Sequence, residues 1–201
     1  MTLNAIALNA TLKASNEAAS STDHMLNVIG KAFSKHSVKM ETIRLADHDI
    51  RPGVSADEGE GDAWPGIRTR ILNANILVMG TPIWLGQPSS VCKRALERMD
   101  AFLSETDDAG RMRTFGKVAV VGNEDGAHHV SAEVYQALND VGFTIPANAV
   151  AYWVGEAMQS ANFVDLNKVP AKVQTTIDMA ASNSVHLAGA LANQGYPRPI
   201  S

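Results

Sequence analysis

Ile76-Leu77-Val78-Met79-Gly80-Thr81-Pro82-Ile83-Trp84-Leu85-Gly86 reads as an apolar strand that stops abruptly in a turn carrying one large aromatic ring between glycines. Ile76 to Met79 form an unbroken apolar run, as expected for a strand covered on both faces. The turn sets backbone N–H and C=O groups beside a flat ring, which suits a planar heteroaromatic ligand. Working outward, Ile6 to Leu8 and Val118 to Val121 are also apolar strands that run into polar or glycine-bearing loops. Each loop is followed by sequence of helical period. Such alternation implies parallel βαβ units. Three loops of this kind would meet at the carboxyl edge of one parallel sheet, where open α/β folds bind ligands.

The remaining elements follow from periodicity. Met25, Ile29, Ala32 and Phe33 mark a helix from Asp23, and Val38 to Leu45 alternates like a strand near a sheet edge. Asp47 to Pro65 is loop-like, with Asp47 and Asp49 read as solvated charges, and Trp64 to Asn73 is a short helix. Pro88 is expected in the first turn of a helix that buries Val91, Ala95, Met99 and Phe102. Ala127 to Val141 is helical, Thr144 to Tyr152 is the expected last strand, and Leu166 to Leu191 carries a long helix. Five strands and about five helices make an α/β, doubly wound three-layer sandwich with helices on both faces. One domain over residues 1–201 is expected, with its core between 4 and 191 and a short C-terminal tail.

Composition narrows the function. Lys and Arg total 17 against 21 acids, giving a net charge of −4 with no basic stripe, which argues against a nucleic-acid surface. Cys92 is the only cysteine, so neither an internal disulfide nor a cysteine-ligated cluster is expected. No apolar stretch approaches a membrane span and no leader pattern opens the chain, so a cytoplasmic protein is the expectation.

The first loop holds Thr11, Lys13, Ser15, Ser20, Ser21 and Thr22 between a strand and a helix. Hydroxyls and free N–H groups at a helix start suit a phosphate, and Lys13 adds a charge. Neither the Rossmann glycine pattern nor the Walker pattern is present, which favours a terminal phosphate monoester held by side chains. An ordinary helix cap at Ser21 or Thr22 is the alternative. In the second loop Trp84 would lie along a flat ring, with backbone groups from Ile83 to Gln87 addressing its heteroatoms; a core or interface tryptophan is the alternative. The third loop is Gly122-Asn123-Glu124-Asp125-Gly126, followed by His128 and His129. Neighbouring helical residues point about 100° apart, so these histidines make a poor chelate and no metal is expected. Cys92 beside an apolar helical stripe reads as a buried structural thiol. Trp64, Tyr152 and Trp153 border either a pocket or a subunit contact.

Taken together, three segments resemble the flavodoxin-like NAD(P)H-dependent FMN reductases, within the flavodoxin-fold group that includes quinone reductases. They are Leu8-Asn9-Ala10-Thr11-Leu12-Lys13, Gly80-Thr81-Pro82-Ile83-Trp84 and Gly122-Asn123-Glu124-Asp125-Gly126-Ala127-His128-His129. The resemblance implies a five-stranded parallel sheet of order 2-1-3-4-5, with FMN between the first and third strands. It implies that Thr11, Lys13, Ser15, Ser21 and Thr22 hold the phosphate. Pro82, Ile83, Trp84, Leu85 and Gly86 would flank the isoalloxazine, and Asn123, Glu124, Asp125 and Gly126 would close its other side. NADPH or NADH would be the co-substrate and a quinone or other flat small molecule the electron acceptor. The flavin carries the chemistry, so no catalytic side chain is named. A homodimer or homotetramer is implied as well. Relatives commonly open the first loop with Gly-Ser and an Arg, where this chain has Asn9-Ala10 and Lys13. A flavodoxin-type electron carrier and a flavin-free regulatory module are the rival expectations.

Overall fold

Alternating side chains along two central strands separate the protein into two apolar layers, and everything else is arranged around them. In the computed structural model, which describes residues 2–104, 118–120, 126–155 and 160–196, strands β1 (Asn4–Asn9) and β3 (Ile76–Thr81) lie side by side in parallel. Ile6, Leu8, Leu77 and Met79 point to one face, and Ala5, Ala7, Ile76 and Val78 to the other. Both sets are buried, so these strands must be covered twice, as their unbroken apolar runs required. β2 (Lys39–Arg44) pairs with the outer side of β1 and β6 (Val118–Val120) with the outer side of β3, giving a four-stranded parallel sheet of order β2-β1-β3-β6. β2 is mostly exposed, as an edge strand should be.

Helices α1 (Ser21–Ser34) and α5 (Ala171–Asn193) cover the alanine-rich face through Met25, Leu26, Ile29, Phe33, Ile177 and Ala181. The small side chains of β1 let α1 settle close to the sheet. At Gly80 a Cβ would stand 3.1 Å from the Leu26 side chain, so α1 approaches β3 as near as a glycine permits. Helices α2 (Trp64–Leu72), α3 (Ser90–Arg98) and α4 (Ala127–Asp140) cover the other face with Trp64, Ile67, Ala95, Val130, Val134 and Leu138. A short antiparallel hairpin, β4 (Ile83–Trp84) and β5 (Gln87–Pro88), projects from the end of β3.

Three expectations need correction. Thr144 to Tyr152 does not form a fifth ladder strand among the described residues: Asn148 turns the chain with φ +54°, a conformation no mid-strand residue can hold. Ala149 and Ala151 are nonetheless buried. Pro88 lies in the hairpin instead of the first turn of α3, because Ser89 supplies the cap by accepting the Cys92 N–H. The last helix begins at Ala171, since Pro170 has no N–H to continue a helix from Leu166.

The segment between β2 and α2 is fixed from α3. Arg98 is fully buried and pairs with Asp62 at 2.7 Å. It also donates to the carbonyls of Ser55 and Arg51, while Arg94 donates to that of Ile50. Burial pushes the Asp62 carboxyl up. The Arg98 guanidinium and the N–H groups of Glu58, Trp64 and Arg51 outweigh that and hold it far below the usual carboxylate range. Cys92 is fully buried, and burial pushes its thiol up to about 12. It is therefore expected to resist iodoacetamide at pH 8 in the native protein and to react only on unfolding, as mass spectrometry of the alkylated chain would record.

Candidate functional site

Parallel register brings four strand ends to one edge. Asn9 stands opposite both Arg44 and Gly80, and Thr81 stands opposite Val120. The loop leaving β1 is shaped first by Asn9, which is buried although polar. Its Oδ1 accepts the Thr11 N–H at 3.1 Å and turns the chain out of the sheet. Its Nδ2 donates to Asp23 Oδ1 at 3.0 Å, fastening the same turn to α1. Lys13 donates through Nζ to the Ala19 carbonyl at 3.2 Å, closing the loop on itself. The Ser15 N–H donates to Asp47 Oδ1 at 2.7 Å. The Ser15 N–H, together with its hydroxyl, holds the Asp47 carboxyl below its usual value. Asp47, expected as an idle surface charge, is thus an exposed anchor of this loop.

The loop ends in the cap of α1. Ser20, one residue before the expected position, accepts the Asp23 N–H at 3.3 Å. Ser21 and Thr22 occupy the first helical positions. The Ser21 hydroxyl accepts the Val164 N–H at 3.3 Å, and Thr22 is buried. All five residues assigned to an anion, Thr11, Lys13, Ser15, Ser21 and Thr22, therefore lie in one loop and first helical turn, with Lys13 and Ser15 exposed.

The second loop is clasped to the first. The Ala10 N–H donates to the Gly80 carbonyl at 2.7 Å, and the Ser89 hydroxyl donates to the Ala10 carbonyl at 2.6 Å. Ser89 is buried and also receives the Cys92 N–H. Its own N–H donates to Thr81 Oγ1 at 3.0 Å. Ser89→Ala is expected to lower stability by about 1–3 kcal/mol, since the Ala10 carbonyl and the Cys92 N–H both lose their partner. A fall in the urea midpoint at unchanged slope would measure it. Beyond the clasp, Leu85 and Gly86 have φ +51° and +72°, the paired left-handed geometry that suits a two-residue hairpin. Ile83 is buried, whereas Trp84 is 52% and Leu85 92% exposed.

Of the third loop, Asn123, Glu124 and Asp125 lie outside the described residues. Gly126 caps α4 with φ +117°, and a Cβ there would come within 2.9 Å of Gly86 Cα. The His129 Nε2 lies 2.9 Å from the Gln87 side-chain amide and 3.3 Å from Glu133, tying α4 to the hairpin. His128 turns away to the Tyr152 hydroxyl at 3.0 Å. Among the described residues no three metal-ligating side chains gather. Asn9, Arg44, Asp47 and Ser89 were missed as site residues from sequence. Only Ser89, a serine directly before a helix, carried a readable cap signal.

The arrangement joins a hydroxyl-bearing loop at a helix start to a hairpin carrying an accessible tryptophan, and such chemistry suits a phosphate at one end and a flat ring at the other. Residues 9–159 match the family described as NADPH-dependent FMN reductase. The chain is 31% identical over 210 residues to 8-demethyl-8-aminoriboflavin-5'-phosphate synthase of Streptomyces davaonensis, covering 98% of this chain and 81% of that protein. It is 40% identical over 170 residues to the divalent metal cation transporter MntH of Mycobacterium bovis, covering 81% of this chain but only 25% of the transporter. Among the described residues no helix is long and apolar enough to cross a membrane. The structure of RosB with the intermediate 8-demethyl-8-formylriboflavin-5'-phosphate superposes with a TM-score of 0.84 at 29% identity, over 96% of this chain and 82% of that one. FerB, the NAD(P)H:(acceptor) oxidoreductase of Paracoccus denitrificans, shares the fold at a TM-score of 0.60 and 15% identity, over 92% and 98%. On this matched span, the chain belongs to the NADPH-dependent FMN reductase family.

Proposed function

We propose that this chain binds FMN across the two clasped loops and uses it to pass hydride from NADPH or NADH to a quinone, a similar flat acceptor or free flavin. The observation that carries this reading is the clasp itself. One hydrogen bond from Ala10 to Gly80 and one from Ser89 to Ala10 hold the hydroxyl loop against the tryptophan hairpin. The donor set suits the ligand: hydroxyls, helix-start N–H groups and one ammonium match a phosphate monoester.

In this reading Thr11, Lys13, Ser15, Ser21 and Thr22 hold the phosphate. Pro82, Ile83, Trp84, Leu85 and Gly86 flank the ring, Ile83 and Gly86 through backbone and Trp84 through its exposed face. Asn123, Glu124, Asp125 and Gly126 close the opposite side. Bound FMN supplies the hydride chemistry. Backbone donors orient the ring and favour negative charge on it, and no side chain is assigned acid–base duty. Leu85 beside Trp84 makes an apolar edge that a second copy would cover, in keeping with a homodimer or homotetramer.

The purified chain is expected to show flavin absorbance or to take up added FMN, and to oxidise NADPH or NADH when a benzoquinone is supplied. FMN binding without turnover of either nucleotide would remove the reductase and leave a carrier. Protein that stays colourless in excess FMN would leave the flavin-free module. A second reading is favoured by the Streptomyces davaonensis relative, a synthase of a modified riboflavin phosphate. Here the flavin phosphate would be the substrate. Mass spectrometry of FMN recovered after turnover separates the two: an unchanged mass supports the reductase, and an altered mass supports flavin modification.

A further inference from the structure

Beneath the hydroxyl loop lies a charged cluster, Asp23, Arg44 and Asp47, to which the proposed function assigns no part. β1 and β2 end in register, so Asn9 stands beside Arg44. The Arg44 side chain is only 14% exposed and its Nη2 lies 3.0 Å from Asp23 Oδ2. Its Nη1 donates to the Ala14 carbonyl at 3.1 Å. The other carboxylate oxygen of Asp23 accepts from Asn9. Three residues after Arg44, Asp47 accepts the next N–H along the loop, that of Ser15. The chain leaving β2 therefore holds the loop at two consecutive residues, Ala14 and Ser15.

Charge gives the cluster a second role. Asp23 stands in the first turn of α1, the helix end whose positive potential an anion would use. Its carboxylate favours the helix but opposes a phosphate at the same end. Arg44, paired at 3.0 Å, cancels that charge from below without occupying the loop.

We propose that Arg44 is a positioning residue for the phosphate monoester: it neutralises Asp23 and, with Asp47, sets the Ala14–Ser15 turn to receive the anion. This rests on the reading of residues 11–22 as the FMN phosphate site. The test is titration of the full chain with FMN and with riboflavin, which has the same ring and no phosphate. Arg44→Gln is expected to weaken FMN about tenfold while riboflavin stays within about twofold. Adding Asp23→Asn removes the bare carboxylate and is expected to recover most of that loss. A residue that only supports the fold would weaken both flavins alike and gain nothing from Asp23→Asn, and that result overturns the proposal. If Arg44→Gln does not fold, Asp23→Asn alone is read instead: it leaves the Arg44 charge unbalanced beneath the loop, so a gain selective for FMN supports the proposal, and equal or absent changes overturn it. Failure of the underlying reading looks different, because wild-type protein would then bind FMN no better than riboflavin.

Discussion

Arg98→Met is expected to lower stability by about 3–5 kcal/mol, because it strands a buried carboxylate. Asp62 would keep its N–H donors from Arg51, Glu58 and Trp64 but lose the guanidinium at 2.7 Å. The carbonyls of Ser55 and Arg51 would lose their donor as well, and the cation over the Trp64 ring, 5.7 Å from its centroid, would go. Replacing both partners with apolar residues often restores a buried pair's contribution. Here Arg98→Met with Asp62→Leu is expected to recover only part of it, since three backbone N–H groups would then be orphaned. Chemical denaturation of both variants checks the ordering. The pair also sets an acid limit. The folded carboxyl is held below its unfolded value, so its contribution is complete above about pH 3.9 and is lost as pH falls from there. Acid unfolding of Arg98→Met should therefore depend less steeply on pH in that range than that of the wild type.

Gly126→Ala is the second such substitution. A side chain at φ +117° costs about 1–3 kcal/mol in backbone strain alone. Its Cβ would also meet Gly86 Cα at 2.9 Å, a backbone atom that cannot swing away. The hairpin and the start of α4 must then separate, moving Trp84 relative to the first loop. FMN affinity is expected to fall about tenfold together with stability, read by quenching of flavin fluorescence. Gly66→Ala is the matched control. In α2 a Cβ at Gly66 meets nothing, and the change is expected to stabilise by about 0.4–1 kcal/mol and leave FMN binding as it was. Equal FMN affinity in Gly126→Ala would show that the contact between these loops does not shape the site.

The layers of the fold could be read from the chain because they are written as local periods. Ile6 and Leu8 against Ala5 and Ala7, or Val130, Val134 and Leu138 along α4, repeat at spacings that only one kind of element buries. The first two loops were legible for the same reason, each being what remains after an apolar run ends, while residues 122–125 of the third fall outside the described residues. The segment from Thr144 to Tyr152 misled because Ala149 and Ala151 alternate in burial like a strand, while the left-handed turn at Asn148 leaves no hydrophobic trace.

Long-range polar pairing is where sequence reading stopped. Arg98 lies in a helix whose other charges are exposed, and its partner Asp62 is thirty-six residues away. Arg44 ends an exposed edge strand, yet it lies under the candidate phosphate loop. Ser89 could be named a cap, but not as the donor that ties Ala10 to the hairpin. Hydrophobic burial is non-directional and announces itself in the pattern of neighbours along the chain. A hydrogen bond or an ion pair depends on a few tenths of an ångström between residues far apart in sequence, and those distances exist only once the layers have packed.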